Sequence, residues 1–545
     1  MTQNGFPKED IDAYREKILK ELGRKLPIGV QSFEKLRSSE FVYVDKTAYI
    51  YLVARAGVQF FLSRPRRFGK SLFLSTLRAY WEGKKELFKG LAIEKLEEGN
   101  SDAWQKYPVL YFDFNGKDYT KQGALERKLI FILEDWEEKY DCVPKREMGL
   151  EERFENVLKK ACIKTGNPCV ILVDEYDKPL LETVDNKELQ EHNKAVFKGF
   201  FGVLKSYDEY IRSVFITGVT KFHKVSIFSD LNQLNDISLD RKFAGVCGIT
   251  EEELKENFKP EIRAMSEHNN ITEEECLKRL KKQYDGYHFN KEGEDVYNPF
   301  SLINAFFGKD FGSYWFSSGT PTFLAKHLKD IQFDPQSLTN KTIKIDSGTL
   351  MDYVSDNPDP IPLLYQTGYL TIVDYDSESR EYVLAFPNEE VKYGMLRSLL
   401  PEYVYNCGSG SGVDIYTLRR FIQNGELEGI RKVLTALFAR ITYTSANATF
   451  EHYFQTVIYL VFTLLGQHTS CEVHTFTGRI DCKTETDKYV YLFEFKLDDS
   501  AENALKQIEE KGYTLPFAAD SRKLYKVGVA FDSETRMLAD WKVVE

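Results

Sequence analysis

Gly69-Lys70-Ser71 closes the run Arg64-Pro65-Arg66-Arg67-Phe68, which joins an apolar stretch, VQFFLS (58–63), to the helical SLFLSTLRAYWEG. In such a strand–turn–helix setting a glycine lets backbone N–H groups approach a phosphate, and the helix N-terminus adds partial positive charge. A lysine placed like Lys70 reaches the β- and γ-phosphates of a nucleotide, and a hydroxyl placed like Ser71 ligates Mg²⁺. Five residues before Gly69, where this pattern has glycine, stands Arg64. Its neighbours Arg66 and Arg67 keep the loop cationic, so the guanidinium groups either add phosphate contacts or block the ordinary cradle. Arg66, Arg67, Phe68, Gly69, Lys70 and Ser71 are therefore the candidate nucleotide-binding residues of this loop.

The companion acids stand in PCVILVDEYD (168–177), an apolar β-branched run that ends in carboxylates. At the carboxyl end of a parallel strand Asp174 is placed to hold Mg²⁺ and Glu175 to orient an attacking water. Asp177 either assists them or caps the next stretch of chain. In FITGVTKF, Thr217, Thr220 and Lys221 close the next apolar run, and Thr217 is a candidate γ-phosphate contact. The plain alternative for both threonines is β-branched strand filler. Asp45 and Lys46, in YVDKT, read as a structural turn.

A second constellation lies near the C-terminal end. KYVYLFEFKL (488–497) alternates strictly, so Glu494 and Lys496 share one face of a strand and Tyr489, Tyr491, Phe493, Phe495 and Leu497 the other. GRIDCK places Asp481 on the preceding strand, and the helical EHYFQTVIYLVFTLLG (451–466) starts with Glu451 at the head of its apolar stripe. Oxygen ligands from Asp481 and Glu494 suit Mg²⁺, which takes one or two carboxylates and keeps several waters. Lys496 is placed to position a water or stabilise charge on a phosphodiester. A plain hairpin with an exposed Glu–Lys face is the competing reading.

These residues need an α/β scaffold. Near-continuous apolar strands separated by helical stretches over about 25–240 predict a parallel sheet with helices on both faces. Residues 121–162 read as helical. An acidic helical region follows over 241–330 and a connecting α/β region over 331–414, with a strand pair around 369–386 turning at DSES. CGSGSG (407–412) has linker composition, and 415–545 forms a last αβ domain. The chain thus divides into 1–240, 241–330, 331–414 and 415–545.

Composition sets outer bounds. With 73 basic and 84 acidic residues among 545, the formal charge is −11, which argues against coating nucleic acid by bulk charge but not against a local basic channel. Arg78, Lys84, Lys85 and Lys89 are candidates for such a groove or are solvated helix faces. No apolar run reaches the ~18–20 residues that cross a bilayer, and the N-terminal residues have no leader pattern, so a cytoplasmic setting without membrane attachment is expected. Eight scattered cysteines without CxxC, and eight histidines without metal-ligand spacing, argue against a disulfide framework or a structural zinc site.

In this order, RPRRFGKS, VDEYDKPL, ITGVTKF with SIFSDLNQLNDIS, YDGYHF and VYNPFSL resemble the AAA-ATPase-like family of prokaryotic proteins. In that family the ATPase region is commonly followed by a PD-(D/E)xK nuclease-superfamily domain. The resemblance spans nearly the whole chain, most weakly over 330–415. It implies a P-loop NTPase sheet followed by a restriction-endonuclease-like domain, with ATP and Mg²⁺ as cofactors. An arginine-rich loop is usual in the family. The D…ExK set of Asp481, Glu494 and Lys496 resembles the nuclease motif, with Ile480 before the Asp, Glu451 as the helix acid and Gln507 as the downstream helical polar residue.

Taken together, the expectation is an ATP-binding, ATP-hydrolysing protein coupled to a Mg²⁺-dependent nuclease-fold domain acting on DNA, with Glu175, Asp481, Glu494 and Lys496 as the reacting groups. The alternative is a nucleotide-dependent regulatory or interaction module whose nuclease fold binds nucleic acid or protein without cleavage. Assembly as a homo-oligomer stays open.

Overall fold

The computed structural model describes residues 23–143, 148–221, 234–316, 343–351, 359–404, 415–440, 450–466, 469–475, 478–535 and 537–545, with parts of 324–338. The chain resolves into two compact units, 1–315 with 341–390, and 316–340 with 391–545, so the 331–414 stretch is shared between them.

In the first unit, strands β1 (Gln59–Ser63), β2 (Val109–Asp113), β3 (Cys169–Asp174), β4 (Ile211–Gly218) and β5 (Asn235–Asp236) form one sheet in the order β2-β3-β4-β1-β5. Every pairing is parallel. All residues of β1 and β3 are buried, as strands covered on both faces must be. Helices α2 (Ala124–Lys139), α3 (Leu150–Thr165) and α4 (Lys187–Ser206) pack together on one face. There Phe112 meets Trp136, Phe154 and Phe200 at centroid separations of 4.8, 5.6 and 5.6 Å. Helix α1 (Lys70–Trp81) covers the other face, with Phe73 against Phe215 at 5.5 Å. The helical reading of 121–162 is corrected to two helices. The first ends at Lys139 with Tyr140 as its C-cap, and Asp141 beyond it takes a positive φ of 55°.

The same unit carries a two-stranded pair, β6 (Ile249–Thr250) and β7 (Val296–Tyr297). It also carries a three-stranded sheet in which β10 (Glu381–Ala385) lies between β8 (Ile343–Asp346) and β9 (Thr371–Asp376). The turn between β9 and β10 falls on 377–380, where DSES predicts it, while β8 carries no sequence signal of its own.

The second unit is built on strands β11 (Thr469–Thr475), β12 (Gly478–Glu485), β13 (Tyr489–Leu497), β14 (Lys523–Asp532) and β15 (Met537–Val544), hydrogen-bonded in that order. Only the β13–β14 pair is parallel. The crossover between them is helix α6 (Ala501–Glu510), capped by the Ser500 hydroxyl. Two strands, β14 and β15, follow that helix. Helix α5 (Phe450–Leu464) packs Phe462 on Phe493 and Phe495 at 4.9 and 5.5 Å. None of the seven described cysteines is in a disulfide. Among the described residues no helix is long and apolar enough to cross a membrane.

Candidate functional site

The loop that leaves β1 is held from several directions. Arg64 is 1% exposed, and its guanidinium donates to the carbonyls of Ser63 (2.9 Å), Ser238 (2.7 Å) and Phe243 (3.0 Å) while lying 4.1 Å over the Phe289 ring. Burial pushes this guanidinium below its ordinary value. The idea that Arg64 adds a phosphate contact is therefore corrected. It replaces a flexible glycine by a buried clamp that saturates backbone acceptors. Phe68 is likewise an anchor, buried between Tyr287 and Phe289 at 4.6 and 5.6 Å. This is where the YDGYHF turn meets the loop. Arg66 and Arg67 remain exposed. Arg67 adopts φ 66° and lies 4.9 Å over Phe300, and the Arg66 carbonyl accepts from the Trp315 indole at 3.0 Å.

Gly69 is the residue in the left-handed region (φ 98°) that starts α1, and a Cβ built there meets nothing within 4 Å. The loop therefore has open space where a phosphate would approach the first N–H groups of α1. Ser71 is half-buried at the second position of that helix. Lys70 is buried, and its ammonium donates to the carbonyls of Arg64 (2.8 Å) and Pro65 (3.0 Å). Burial pushes this ammonium down, and the field of Glu175, Asp174 and Asp177 opposes the shift. The lysine thus lies in the field of all three acids of VDEYD.

Asp174 ends β3 and is 2% exposed. Thr217, on β4 between the loop strand and the acid strand, donates to Asp174 Oδ1 at 2.8 Å, and the Tyr111 hydroxyl lies 3.4 Å from Oδ2. Thr217 is therefore more than strand filler, because its hydroxyl orients the acid. Glu175 follows at φ 51°, and burial pushes its carboxyl up while the Lys70 charge pulls it back. Asp177 accepts from the Val219 N–H (2.9 Å), the Thr220 N–H (2.7 Å) and the Thr220 hydroxyl (2.8 Å), which straps the acid turn to the end of β4. These bonds give Asp177 and Thr220 a structural role at that turn. Asp45 likewise caps Thr47, as a turn residue does. Sequence reasoning misses Tyr111, Trp315 and the structural value of Arg64, since each acts on a partner remote along the chain.

The strap leaves no room at Gly218. A Cβ there would sit 2.7 Å from Asp177 Oδ1 and 2.7 Å from Tyr176 Cε1, contacts that force the acid turn to move. Gly218→Ala is expected to destabilise the first unit by about 1–3 kcal/mol, the range for overpacked interiors. Chemical denaturation checks this, and an unchanged midpoint would refute the strap.

In the second unit, Glu494 and Lys496 project toward Gln507 of α6. The Gln507 amide donates to Glu494 Oε1, and Lys496 Nζ donates to Gln507 Oε1 at 2.5 Å and lies 3.6 Å from Glu494 Oε1. Asp481 Oδ2 accepts from the Phe495 N–H at 2.8 Å, which fixes the β12 acid beside the β13 acid. Glu494 is 1% exposed, and its second oxygen, Oε2, is buried without a hydrogen-bond partner among the described residues. Burial, reinforced by the negative Asp481, pushes the Glu494 carboxyl up from 4.5 to about 7. A buried carboxylate oxygen with no donor, beside a second acid, is a fit for a hard cation. Among the described residues no group of three or more His, Cys, Asp or Glu comes together, so the pair stands alone there. The side chain of Glu451 lies outside the described residues. Tyr513 is buried and donates to the Arg479 carbonyl at 2.7 Å, a packing role.

A family model described as predicted AAA-ATPase matches residues 27–228, and one described as PD-(D/E)XK nuclease superfamily matches residues 449–541. Over 536 residues the chain is 33% identical to a protein of Azotobacter chroococcum mcd 1 described as "Uncharacterized protein in vnfD 5'region", covering 95% of this chain and 99% of that one. The crystal structure of Cdc6p from Pyrobaculum aerophilum aligns with 70% of this chain and 96% of its own at 12% identity, with a TM-score of 0.20 that is too low to bear on the fold. Matched nearly end to end by that relative and in both regions by family models, the chain belongs to the predicted AAA-ATPase family and carries a PD-(D/E)XK nuclease-superfamily domain.

Proposed function

We propose that this chain binds and hydrolyses ATP at the 64–71 loop and couples that cycle to Mg²⁺-dependent cleavage of DNA phosphodiesters by its C-terminal domain, in a cytoplasmic setting. The observation that carries the reading is a shared arrangement. Each unit sets one lysine beside carboxylates on neighbouring strands, Lys70 in the field of Asp174 and Glu175, and Lys496 beside Glu494, which Asp481 flanks.

In the first unit, Gly69 leaves the space for phosphate, Lys70 turns from the loop carbonyls to the β- and γ-phosphates, and Ser71 with Asp174 would hold Mg²⁺. Arg66 and Arg67, exposed on the same loop, add positive charge at its mouth. Thr217 keeps Asp174 oriented, and Glu175 orients the attacking water. In the second unit, Asp481 and Glu494 would hold Mg²⁺, with Glu451 as the helix acid. Such an ion polarises the phosphodiester and lowers the pKa of its water. Gln507 sets the rotamers of both Glu494 and Lys496, and Lys496 stabilises charge on the phosphate oxygens.

The test is turnover by the purified full chain on single- and double-stranded DNA and RNA, with and without ATP and Mg²⁺. Mg²⁺-dependent cleavage of DNA is expected. DNA binding without any turnover in Mg²⁺ would instead favour a nucleotide-dependent interaction module.

Metal affinity carries a pH signature. Because Glu494 holds its proton up to about 7 in the fold but only to 4.5 when unperturbed, the folded state binds more protons than the unfolded chain between those values. Stability without metal therefore falls as pH rises through that window, and Mg²⁺ must displace the proton below about 7. Thermal unfolding is expected to show a Mg²⁺-induced rise in Tm that is larger at pH 8 than at pH 6. A pH-independent increment would contradict the assignment.

A further inference from the structure

Helix α1 begins at the phosphate-loop lysine and ends at Trp81, roughly 17 Å further along its axis. At that far end lies a cavity of about 330 Å³, lined among others by Arg55, Tyr80, Trp81, Asp102, Tyr107 and Arg212. Arg212 is the second residue of β4, so the cavity sits at the amino end of the strand whose carboxyl end carries Thr217.

The lining has donors in excess. Arg55 is satisfied by Glu97, at 2.6 Å, and Glu97 also accepts from the Tyr80 hydroxyl at 2.5 Å. Arg212 is not satisfied in this way. It is half-buried, lies 5.3 Å over the Trp81 ring, and has no carboxylate partner among the described residues. Trp81 itself is 4% exposed, Tyr107 packs edge-on against it at 5.2 Å, and its indole N–H has no acceptor among the described residues. A half-buried cation without a counter-charge and a buried donor without an acceptor, in one cavity wall, call for an acceptor-rich guest. Asp102, the one carboxylate of the lining, disfavours polyanions.

We propose that this cavity is a second binding site, for a small oxyanion of low charge, a carboxylate or a phosphate, held by the Arg212 guanidinium against the Trp81 indole. It is separate from the nucleotide loop and shares with it only helix α1 and strand β4.

Inorganic phosphate and acetate, titrated separately into the full chain at constant ionic strength, supply the test, followed by tryptophan fluorescence and calorimetry. Saturable binding of at least one of them is expected in the wild type and in Lys70→Ala, which removes the loop's phosphate contact. Affinity should fall at least roughly tenfold in Arg212→Gln, the loss of one charge-assisted hydrogen bond. Arg212→Lys should keep part of it, and Trp81→Phe should remove the fluorescence response. The proposal is overturned if neither anion saturates, if Lys70→Ala abolishes binding, or if Arg212→Gln binds as the wild type does. Circular dichroism of each variant separates loss of the site from loss of the fold.

Discussion

ATP affinity measured by calorimetry is expected to fall roughly 10- to 150-fold in Lys70→Ala, the equivalent of about 1.5–3 kcal/mol for one hydrogen bond to a charged group. The structure adds a second reason for a large effect. Lys70 is buried within the field of Glu175, Asp174 and Asp177, so its removal leaves those carboxylates facing an incoming polyphosphate without a counter-charge. Hydrolysis should fall further than binding, because the same ammonium meets charge that develops on the transferred phosphate. Lys70→Arg keeps the charge, but its planar fork fits poorly where a single Nζ reaches two adjacent carbonyls. It should therefore bind ATP better than Lys70→Ala and turn it over worse than wild type. Unchanged affinity in Lys70→Ala would remove the loop from the nucleotide site.

The second large effect belongs to Glu494 and Lys496. Cleavage of DNA is expected to drop by about 10²–10³ in Lys496→Ala, the range for removing one group that stabilises charge in the transition state. ATP affinity should stay unchanged. Glu494→Gln should abolish cleavage to a similar degree and do something Lys496→Ala cannot. A neutral amide has no proton to exchange, so the Mg²⁺-free stability should lose its decline between pH 4.5 and about 7. Kinetics and pH-dependent unfolding on the same two variants therefore separate a metal ligand from a charge-stabilising lysine. Full cleavage by both variants would place the activity elsewhere.

The residues that announce these sites do so through local pattern. Gly69, Lys70 and Ser71 are adjacent, Asp174 ends an apolar strand, and Glu494 and Lys496 share a face by the two-residue period of β13. What local pattern does not carry is who holds whom. Thr217 reaches Asp174 across 43 residues, Gln507 reaches Glu494 across 13, and Trp315 reaches Arg66 across 249. The order β2-β3-β4-β1-β5 is the root of the first of these, because it inserts β4 between the loop strand and the acid strand. Arg64 shows the limit most clearly. Next to two exposed arginines it reads as one more cation for phosphate, and only the carbonyls of Ser238 and Phe243 and the ring of Phe289 show that it belongs to the core.

The same grip on the loop has a practical consequence for dissecting the chain. The predicted AAA-ATPase match ends at residue 228, yet Ser238, Phe243, Tyr287, Phe289 and Trp315 all clasp the 64–68 segment, and Gly368 (φ 91°) passes so close that a Cβ there would lie 2.6 Å from Pro65. A fragment cut at the end of the match would keep every motif residue and lose the scaffold that shapes them. A shortened chain meant to test the proposed nucleotide site should therefore run through residue 390, where the first compact unit ends.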